Sequence, residues 1–303
     1  MSESARLPMN FGGIDDARYS NFESSRVVVF PVSYEGTVSY GSGTGKGAMA
    51  IIEASRNMEL YEEETDAEVY KIGLHTLEEF APRNTPDAMM NALYEQTKVL
   101  LKTEKFLCMI GAEHSVSAPV IRAHAEKFHN LSVLQIDAHA DLRDSYDGTP
   151  HSHASVMARV VKDLRLPSVQ VGIRSISADE ARSLAEGLPT KIYWAKDIVG
   201  RTDWIADALE YLTENVYLTI DIDGLDPSLV PTTGRPEPGG LGWYETLTLI
   251  RQLAKNRRVV GMDLVEFSKT GNYDAPAFLC AKLIYKSLAY IFRDETPKVI
   301  GGS

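Results

Sequence analysis

Histidines and aspartates recur in this chain at the spacing of metal ligands, in three separate segments. The segments G-A-E-H-S, D-A-H-A-D and D-I-D-G-L-D-P carry His114, Asp137, His139, Asp141, Asp221 and Asp223. Each segment follows a short apolar run typical of a buried strand, and alternate residues of a strand point to one face. Four carboxylates can be buried together only if cations neutralise them. The pattern therefore predicts a two-metal site, and such sites make hydroxide from water.

The donor set favours some metals over others. Carboxylates and imidazoles without thiolates suit Mn²⁺, with Zn²⁺, Ni²⁺, Co²⁺ and Fe²⁺ as alternatives. Mg²⁺ is less suitable because imidazole is a poor ligand for it. We therefore expect two Mn²⁺ ions.

Strand-like and helix-like segments alternate along the whole chain. Apolar runs predict strands at Arg26–Val32, Glu68–Gly73, Phe106–Ile110, Leu131–Ile136, Val169–Ile173, Lys191–Trp194, Val216–Ile220 and Val259–Leu264. Amphipathic stretches predict helices at Ala48–Met58, Pro86–Thr103, Ala118–Phe128, Ala178–Glu186, Trp204–Thr213, Trp243–Ala254 and Asp274–Phe292. The alternation predicts an α/β fold with three layers, α/β/α, around a mainly parallel sheet of about eight strands. No linker or repeat divides the sequence, so we expect a single domain spanning residues 1–303.

The predicted ligands all follow predicted strands, and so does Glu266. Sites in open α/β sheets lie at the carboxyl ends of the strands. The fold and the ligand pattern therefore predict the same place for the site.

Composition excludes several classes of partner. The chain has 303 residues and a formal net charge of −11, with no basic stripe to meet the phosphates of a nucleic acid. Its sequence shows no secretory signal and no apolar run of membrane-spanning length, so we expect no membrane partner. Cys108 and Cys280 stand in apolar surroundings, as expected of reduced core thiols in a cytoplasmic protein.

A glycine-rich stretch, Gly41–Ala48, raises the alternative of a nucleotide site. The phosphate-loop pattern requires Gly where Tyr40 stands and Ser or Thr where Gly47 stands. We interpret the stretch as a loop that leads into a helix, with nucleotide binding as the lesser alternative.

Three further polar residues lie near the ligand segments. Asp226 stands an odd number of residues beyond Asp221 and precedes a proline, so we expect it to hydrogen-bond the loop behind the ligands. His151 and His153 follow the D-A-H-A-D segment, where a histidine outside the metal shell is a natural proton carrier. For His151 we favour a loop histidine bonded to the backbone over a residue that contacts substrate.

The three ligand segments, taken in order, resemble those of the ureohydrolase family of arginases and agmatinases, with the agmatinase branch as the nearest match. The similarity runs from G-T-V-S-Y-G-S-G-T-G-K-G-A through S-H-A-S to G-R-P-E-P-G-G-L and D-L-V-E-F. It implies a three-layer fold, a homotrimer or homohexamer, and two Mn²⁺ ions per subunit. It also implies hydrolysis of a guanidino group to urea and an amine by metal-bound hydroxide.

The resemblance assigns roles to individual residues. It implies one metal held by His114, Asp137, Asp141 and Asp221, and the other by Asp137, His139, Asp221 and Asp223. His153 matches the family's proton-shuttle histidine, and Glu266 matches the glutamate that grips the guanidinium. Asp141 would also pass a proton toward the leaving nitrogen.

The substrate follows from departures from the arginase pattern. Arg143 replaces an Asn, and Ser175 and Ser177 replace acids, that hold the α-amino and α-carboxyl groups of arginine. We therefore expect agmatine as the small cationic substrate, cleaved to putrescine and urea in polyamine synthesis, with N1-aminopropylagmatine as an alternative. Arg235 stands where many relatives have Thr, and it favours 4-guanidinobutyrate if it faces the pocket. A catalytically silent homologue that binds metal is the remaining alternative.

Overall fold

Eight parallel strands form the centre of the molecule. The computed structural model describes residues 7–271 and 273–300. Its strands are β1 (Val27–Pro31), β2 (Leu74–Thr76), β3 (Phe106–Ile110), β4 (Leu131–Ile136), β5 (Ser168–Ile173), β6 (Thr190–Trp194), β7 (Asn215–Asp221) and β8 (Arg258–Val265). They form one sheet in the order β2-β1-β3-β8-β7-β4-β5-β6, and every neighbouring pair is parallel. The predicted fold class is confirmed.

Helices occupy the segments between the strands. They are α1 (Ala17–Ser20), α2 (Gly47–Ser55), α3 (Pro86–Leu101), α4 (Ser117–Lys127), α5 (Val156–Ala158), α6 (Ala178–Ala185), α7 (Ala195–Ile198), α8 (Ile205–Tyr211), α9 (Trp243–Asn256) and α10 (Ala275–Ile291). A π-helical turn at Arg159–Asp163 continues α5. The sequence did not predict α1, α5 and α7, because three or four residues are too few to show a helical period.

Short 3₁₀ turns follow several strands and carry residues of the predicted site. They lie at Thr44–Lys46, Val69–Ile72, His114–Val116, His153–Ser155 and Ile222–Gly224. Three of them hold predicted site residues, namely His114, His153 and Asp223. The side chains of His114 and Asp223 are therefore fixed by turns at strand ends, whereas the turn that holds His153 follows the loop after β4.

The two faces of the sheet bury alternate residues of each strand, which makes three layers. In β1, Val27 and Val29 belong to one apolar core, whereas Val28 and Phe30 belong to the other. Helices α2, α8, α9 and α10 contribute to the first core, and α3 and α4 to the second. The inner strands of the sheet are thus covered on both sides, whereas the edge strands β2 and β6 are only partly buried.

The strand predicted at Glu68–Gly73 is wrong. Its residues Val69–Ile72 form a 3₁₀ turn, and the strand β2 begins only at Leu74. Gly73 has a φ of +87°, and a Cβ there would lie 2.5 Å from the Cα of Ser25. The chain turns at this glycine before it joins the sheet, so the apolar run packs as a turn instead of pairing as a strand.

The order of strands decides where the site forms. The four central strands, β3, β8, β7 and β4, are those that precede the predicted metal ligands and Glu266. Their parallel direction brings all their carboxyl ends to one edge of the sheet. Among the helices of the described residues, none is both long and apolar enough to cross a bilayer.

Candidate metal centre and substrate pocket

The predicted ligands converge at the carboxyl ends of the central strands. His114 follows β3, Asp137 follows β4, Asp221 ends β7 and Glu266 follows β8. His114 and Asp221 are separated by 107 positions in sequence, yet Nδ1 of His114 lies 3.4 Å from Oδ2 of Asp221. The sheet order thus assembles the cluster from distant parts of the chain.

One group of potential ligand atoms surrounds His114. Its Nδ1 atom lies 3.0 Å from Oδ2 of Asp141 and 3.1 Å from Oδ2 of Asp137. His114 and Asp137 are almost fully buried, and Asp141 is 6% exposed. The ligand atoms of these three residues lie close enough to bind one ion. Asp221 is a further potential metal ligand of this group, because its Oδ2 atom also lies near Nδ1 of His114.

A second group surrounds His139 and shares Asp137 with the first. The Nδ1 atom of His139 lies 2.9 Å from Oδ2 of Asp223 and 3.6 Å from Oδ1 of Asp137. These three residues also offer ligand atoms close enough to bind one ion. Because Asp137 belongs to both groups, the arrangement is that of two adjacent cation sites joined by one carboxylate.

Backbone amides orient the carboxylates of the cluster. The N–H group of Asp223 donates to Oδ1 of Asp221 at 2.9 Å, and that of Ala138 donates to Oδ1 of Asp223 at 3.0 Å. In each of these aspartates the other oxygen, Oδ2, faces a histidine of the cluster. Backbone hydrogen bonds therefore fix one oxygen of each aspartate and leave the other directed at the cluster, which is the arrangement of a preformed set of metal ligands.

The charges of the cluster lack a partner cation from the protein. Among residues 7–271 and 273–300, no lysine or arginine forms an ion pair with its four aspartates. Burial and the charge of Asp137 raise the pKa of Asp141 to about 7, and burial raises the pKa of Asp221 well above its usual range. Carboxylates that resist ionisation in this way need an external cation, so the donor set fits a divalent metal pair.

Hydrogen bonds fix which nitrogen of His114 faces the cluster. Thr219 donates its hydroxyl hydrogen to Oδ1 of Asp263 at 2.6 Å, so its oxygen accepts from Nε2 of His114 at 3.0 Å. The lone pair of the imidazole then lies on Nδ1. This Nδ1 atom is buried, and none of the nearby carboxylate oxygens is placed to form a well-angled hydrogen bond with it. A buried lone pair of this kind is placed to bind a metal ion.

A cavity of about 130 Å³ opens above the cluster. Its wall combines cluster residues with His153, Glu266, Arg143, Glu180, Arg235, Ser175 and Ser177. The cavity leads from the surface of the protein to the predicted metal ligands. It is therefore the candidate substrate pocket.

Glu266 lies on this wall in a strained conformation. Its φ is +64°, a left-handed value that a non-glycine residue rarely adopts, and Asp141 has a φ of +52°. The N–H group of His114 donates to Oε1 of Glu266 at 2.7 Å. Burial raises the pKa of Glu266 to about 8. A cationic group that enters the pocket would therefore stabilise the ionised form of the Glu266 carboxyl by pairing with it.

The structure separates the two histidines of T-P-H-S-H-A-S. His153 lines the pocket, and the edge of its ring meets the Tyr146 ring at a centroid distance of 5.7 Å. Burial, followed by the charge of Arg235, lowers the pKa of His153 to about 4. Its position is that of a neutral imidazole beside the candidate substrate site.

His151, the lesser candidate for substrate contact, lies outside the pocket. Its Nε2 atom is 3.4 Å from Oδ1 of Asp87, and its side chain lines a different groove beside Met90 and Tyr94. The backbone N–H group of His151 donates to the Thr149 hydroxyl. His151 therefore does not line the candidate substrate pocket.

Asp226 organises the loop that follows the last ligand segment. Its Oδ1 accepts from the N–H group of Ser228, and its Oδ2 accepts from those of Gly239 and Gly240, each at 3.0 Å. The hydrogen bond from Ser228 is the largest influence that lowers the pKa of Asp226, to about 2. This carboxylate thus closes the loop that carries Arg235.

Arg235 faces the pocket. Its Nη2 atom contacts the Ser39 hydroxyl and lies 3.5 Å from the Tyr146 hydroxyl. Within the described ranges, 7–271 and 273–300, no carboxylate forms an ion pair with its guanidinium. The pocket therefore carries an uncompensated positive charge at this point, which bears on the choice of substrate.

The glycine-rich loop does not offer its amides to a phosphate. The N–H groups of Gly43 and Gly45 donate to the Glu35 carboxylate, at distances between 2.8 and 3.2 Å. A carboxylate already occupies the place that a phosphate would take. This contact removes the basis for the nucleotide alternative.

Several polar residues of the site were missed from the sequence. Thr219 and Asp263 lie inside apolar strands and are fully buried. A polar residue within an apolar run is unusual, and this signal could have identified both as site residues from the sequence. Thr37 contacts His153 from a loop, and Tyr146 approaches it from another. No local pattern predicts the last two contacts, because they depend on how the loops meet.

The fold and the site define an enzyme of the ureohydrolase class. The model of the arginase family matches residues 25–289, so the chain belongs to that family. It is a ureohydrolase, and its chemistry is directed at the C–N bonds of guanidino groups.

Curated relatives match nearly the whole chain. The N(1)-aminopropylagmatine ureohydrolase of Synechocystis sp. is 37% identical over 295 residues, which cover 94% of this chain and 95% of the relative. The agmatinase of Bacillus cereus is 35% identical over 259 residues, which cover 82% of this chain and 85% of the relative. Both therefore share the full ureohydrolase architecture with this chain.

A solved structure agrees with this conclusion. The agmatine ureohydrolase of Thermoplasma volcanium superposes with a TM-score of 0.84 at 26% identity, covering 95% of this chain and 96% of that one. The sheet and its flanking helices are thus those of agmatinase structures.

Proposed function

We propose that this protein hydrolyses the guanidino group of a linear guanidino amine to urea and an amine, with N1-aminopropylagmatine as the preferred substrate and agmatine as the close alternative. The observation that carries this proposal is the pair of adjacent His–Asp groups joined by Asp137 at the floor of the pocket. Glu266, on the wall of the same pocket, supplies a carboxylate for the guanidinium.

Two Mn²⁺ ions are the proposed cofactor. We assign one to His114, Asp137, Asp141 and Asp221, and the other to Asp137, His139, Asp221 and Asp223. When bound, such a pair would lower the pKa of water and so supply a hydroxide nucleophile at neutral pH. The carboxylate-rich donor set with two imidazoles and no thiolate supports Mn²⁺ over softer ions.

Glu266 would orient the substrate. A guanidinium is planar and donates several hydrogen bonds, which a carboxylate accepts as a pair. Oε1 of Glu266 already accepts from the N–H group of His114, which holds the carboxylate in place. An incoming guanidinium favours the ionised carboxylate, because an adjacent positive charge lowers the pKa that burial has raised.

Asp141 and His153 would move protons. Asp141 lines the pocket, so its carboxylate could accept a proton from the attacking water and pass it to the leaving nitrogen. His153, a neutral imidazole on the same wall, is proposed to take up the second proton that the water releases and pass it to the departing amine. Each step keeps the proton on an atom that faces the pocket.

The substrate tail is the finer part of the proposal. Ser175 and Ser177, which stand where the arginase pattern has acids, present neutral hydroxyls on the pocket wall, and Glu180 is the acid beside Ser177. Relatives from Synechocystis, Thermus and Thermococcus named N(1)-aminopropylagmatine ureohydrolase are 33–37% identical, and relatives named agmatinase are 31–35% identical. These identities support the aminopropyl substrate ahead of agmatine.

A guanidino acid such as 4-guanidinobutyrate is the second candidate, and Arg235 supports it. The guanidinium of Arg235 faces the pocket and contacts the hydroxyls of Ser39 and Tyr146, with no carboxylate partner in the part of the chain that the structure describes, so it could pair with a substrate carboxylate. The same charge would oppose a terminal ammonium placed beside it.

Urea release by Mn²⁺-loaded protein tests both candidates. We expect kcat/KM to be highest for N1-aminopropylagmatine, then agmatine, then 4-guanidinobutyrate, with arginine last. The variant Arg235→Gln removes the charge, and Arg235→Lys is the matched control that keeps it.

The variants separate the two candidates. For an amine-ended substrate, Arg235→Gln keeps or raises kcat/KM; for a guanidino acid it lowers kcat/KM by roughly 10- to 100-fold, the effect of losing a charged hydrogen-bond partner. Highest activity on 4-guanidinobutyrate together with that loss would replace the first candidate by the second. No urea from any of these compounds would contradict the proposed function.

A further inference from the structure

A buried carboxylate beside the metal cluster faces away from it. Glu113 is fully buried and directly precedes His114 in sequence. Its Oε2 accepts from the N–H groups of Gly36, at 2.8 Å, and Thr37, at 2.7 Å. Its Oε1 accepts from the hydroxyls of Thr37, at 2.7 Å, and Ser115. Four donors thus satisfy this carboxylate, and all of them lie on the side of the Gly36–Thr37 loop or on its own turn.

Thr37 connects this carboxylate to His153. The N–H group of His153 donates to Oγ1 of Thr37 at 3.1 Å, and Nδ1 of the His153 ring lies 3.4 Å from the same oxygen. Thr37 is buried, with 8% of its surface exposed. A contact of 3.4 Å is long for a hydrogen bond, yet such contacts commonly shorten when substrate binds.

The direction of these hydrogen bonds is fixed by counting hydrogens. A hydroxyl carries one hydrogen, and that of Thr37 is donated to Oε1 of Glu113. Toward His153 the Thr37 oxygen is therefore only an acceptor. Ser152, whose Oγ atom lies 3.4 Å from the same Nδ1 and accepts from the N–H group of Ala154, can also accept a hydrogen from the ring. A ring that donates to the Thr37 oxygen carries its hydrogen on Nδ1, which leaves the lone pair on Nε2.

We propose that Glu113, acting through the Thr37 hydroxyl, is the positioning residue that sets the orientation and tautomer of His153, with the hydrogen on Nδ1 and Nε2 free for the pocket. Among the described residues, the ring has hydrogen-bond contacts only through Nδ1, and it lines the pocket. This inference rests on the proposed function, in which His153 transfers a proton.

The kinetic test compares two substitutions of Thr37 in the Mn²⁺-loaded enzyme. Thr37→Val keeps the shape and removes the hydroxyl, whereas Thr37→Ser keeps the hydroxyl. We expect Thr37→Val to lower kcat by roughly 10- to 100-fold, the usual effect of losing an orienting partner. Its KM should stay near that of the wild type, because Thr37 does not line the pocket. Thr37→Ser should recover most of kcat.

A double variant separates positioning from a general loss of structure. In a His153→Asn background, Thr37→Val should cause no further loss of kcat, because the two residues act as one unit. An equal loss in both backgrounds, or an unchanged kcat in Thr37→Val, would overturn the inference.

A spectroscopic measurement makes the result independent of activity. Protein labelled with ¹⁵N-histidine and loaded with diamagnetic Zn²⁺ reports the tautomer of each imidazole, and His153→Asn identifies the signal by its loss. We expect the Nδ1-protonated tautomer in the wild type and a shift toward the other tautomer in Thr37→Val. An Nε2-protonated His153 in the wild type would refute the inference even if urea is released. Absence of urea release with the expected tautomer would instead refute the proposed function.

Discussion

Two clusters of carboxylates in this molecule, one at the edge of the sheet and one around Lys286, differ in how their charge is balanced. Glu62, Glu63 and Glu64 converge on the ammonium group of Lys286, which lies 2.5, 2.9 and 3.1 Å from one oxygen of each. Lys286 is only 3% exposed, and Glu62 is fully buried. Within residues 7–271 and 273–300, the aspartates at the sheet edge form ion pairs with histidines and with no lysine or arginine. The negative charge of the glutamate cluster is therefore balanced by a lysine of the protein, whereas that of the aspartate cluster is not.

The two clusters show why a group of acids is not by itself a metal site. The glutamates also offer ligand atoms close enough to hold one ion. Burial acts to lower the pKa of Lys286, yet its hydrogen bonds to Glu62 and Glu63 raise that pKa, so the ammonium stays charged. An ion would have to displace or oppose this charge. What distinguishes the candidate metal centre is the lack of an internal cation together with a histidine lone pair directed into it.

The largest expected effect follows from breaking the shared carboxylate of the metal centre. Asp137→Asn should lower kcat for urea release by at least roughly 10³-fold, because it weakens both proposed ion sites at once. Added Mn²⁺ should raise the melting temperature of the wild type, since a ligand that binds the folded state stabilises it, and should not do so for the variant. Elemental analysis of the purified variant should show a reduced metal content.

Asp226→Asn is the matched control for this prediction. It makes the same chemical change within the same sequence motif, at a carboxylate that only closes a loop. Its metal content should equal that of the wild type. Full metal content in Asp137→Asn would remove Asp137 from the proposed ligand set.

The next largest effect is expected at the cluster of glutamates around Lys286. Lys286→Met should lower the free energy of unfolding by about 3–5 kcal/mol, since it leaves Glu62 buried without its cation. Guanidinium chloride titrations would measure the change. The double variant Glu62→Gln/Lys286→Met should recover part of the loss, because it removes both charges.

The substitution Lys286→Met should leave metal binding unchanged. Lys286→Met and the wild type should bind the same amount of Mn²⁺, because the lysine belongs to the other cluster. An undiminished stability in Lys286→Met would mean that Glu62 is satisfied by other groups, such as Lys282 at 3.9 Å.

The smallest effect compares two buried histidines. Carboxylates surround His114, whereas none among residues 7–271 and 273–300 contacts His124, and burial lowers the pKa of His124 to about 4. The folded pKa of His124 lies below its unfolded value of about 6.5, so the unfolded chain binds more protons between these values. Its contribution to stability is complete above pH 6.5 and is lost as the pH falls toward 4.

A non-titrating variant measures this contribution. Between pH 8 and pH 5, the wild type should lose about 2 kcal/mol more unfolding free energy than His124→Gln, from the difference of the two pKa values. Equal losses in the two proteins would show that His124 titrates alike in the folded and unfolded states.

Local patterns predicted the strands well where apolar runs end abruptly. Phe106–Ile110 and Leu131–Ile136 form strands with the bounds expected from the sequence. The first run is uniformly apolar and the second largely so, because parallel strands are covered on both faces, and the polar residues of the site follow where each run ends. The run at Glu68–Gly73 failed because a glycine with positive φ turns the chain there, and an apolar run alone does not distinguish a turn from a strand.

The sequence by itself determined the class of this protein, since ligand types and their period along a strand are local properties. It specified the carboxylates and histidines of the candidate metal centre, their position after strands, and the resemblance to ureohydrolases. Only the tertiary structure decided which of His151 and His153 faces the pocket, that Arg235 has no acid partner among the described residues, and that Thr37 meets His153 across 116 positions of sequence. These depend on the order of strands in the sheet and on the packing of loops above it, and residues that are distant in the chain carry no local signal of their contact.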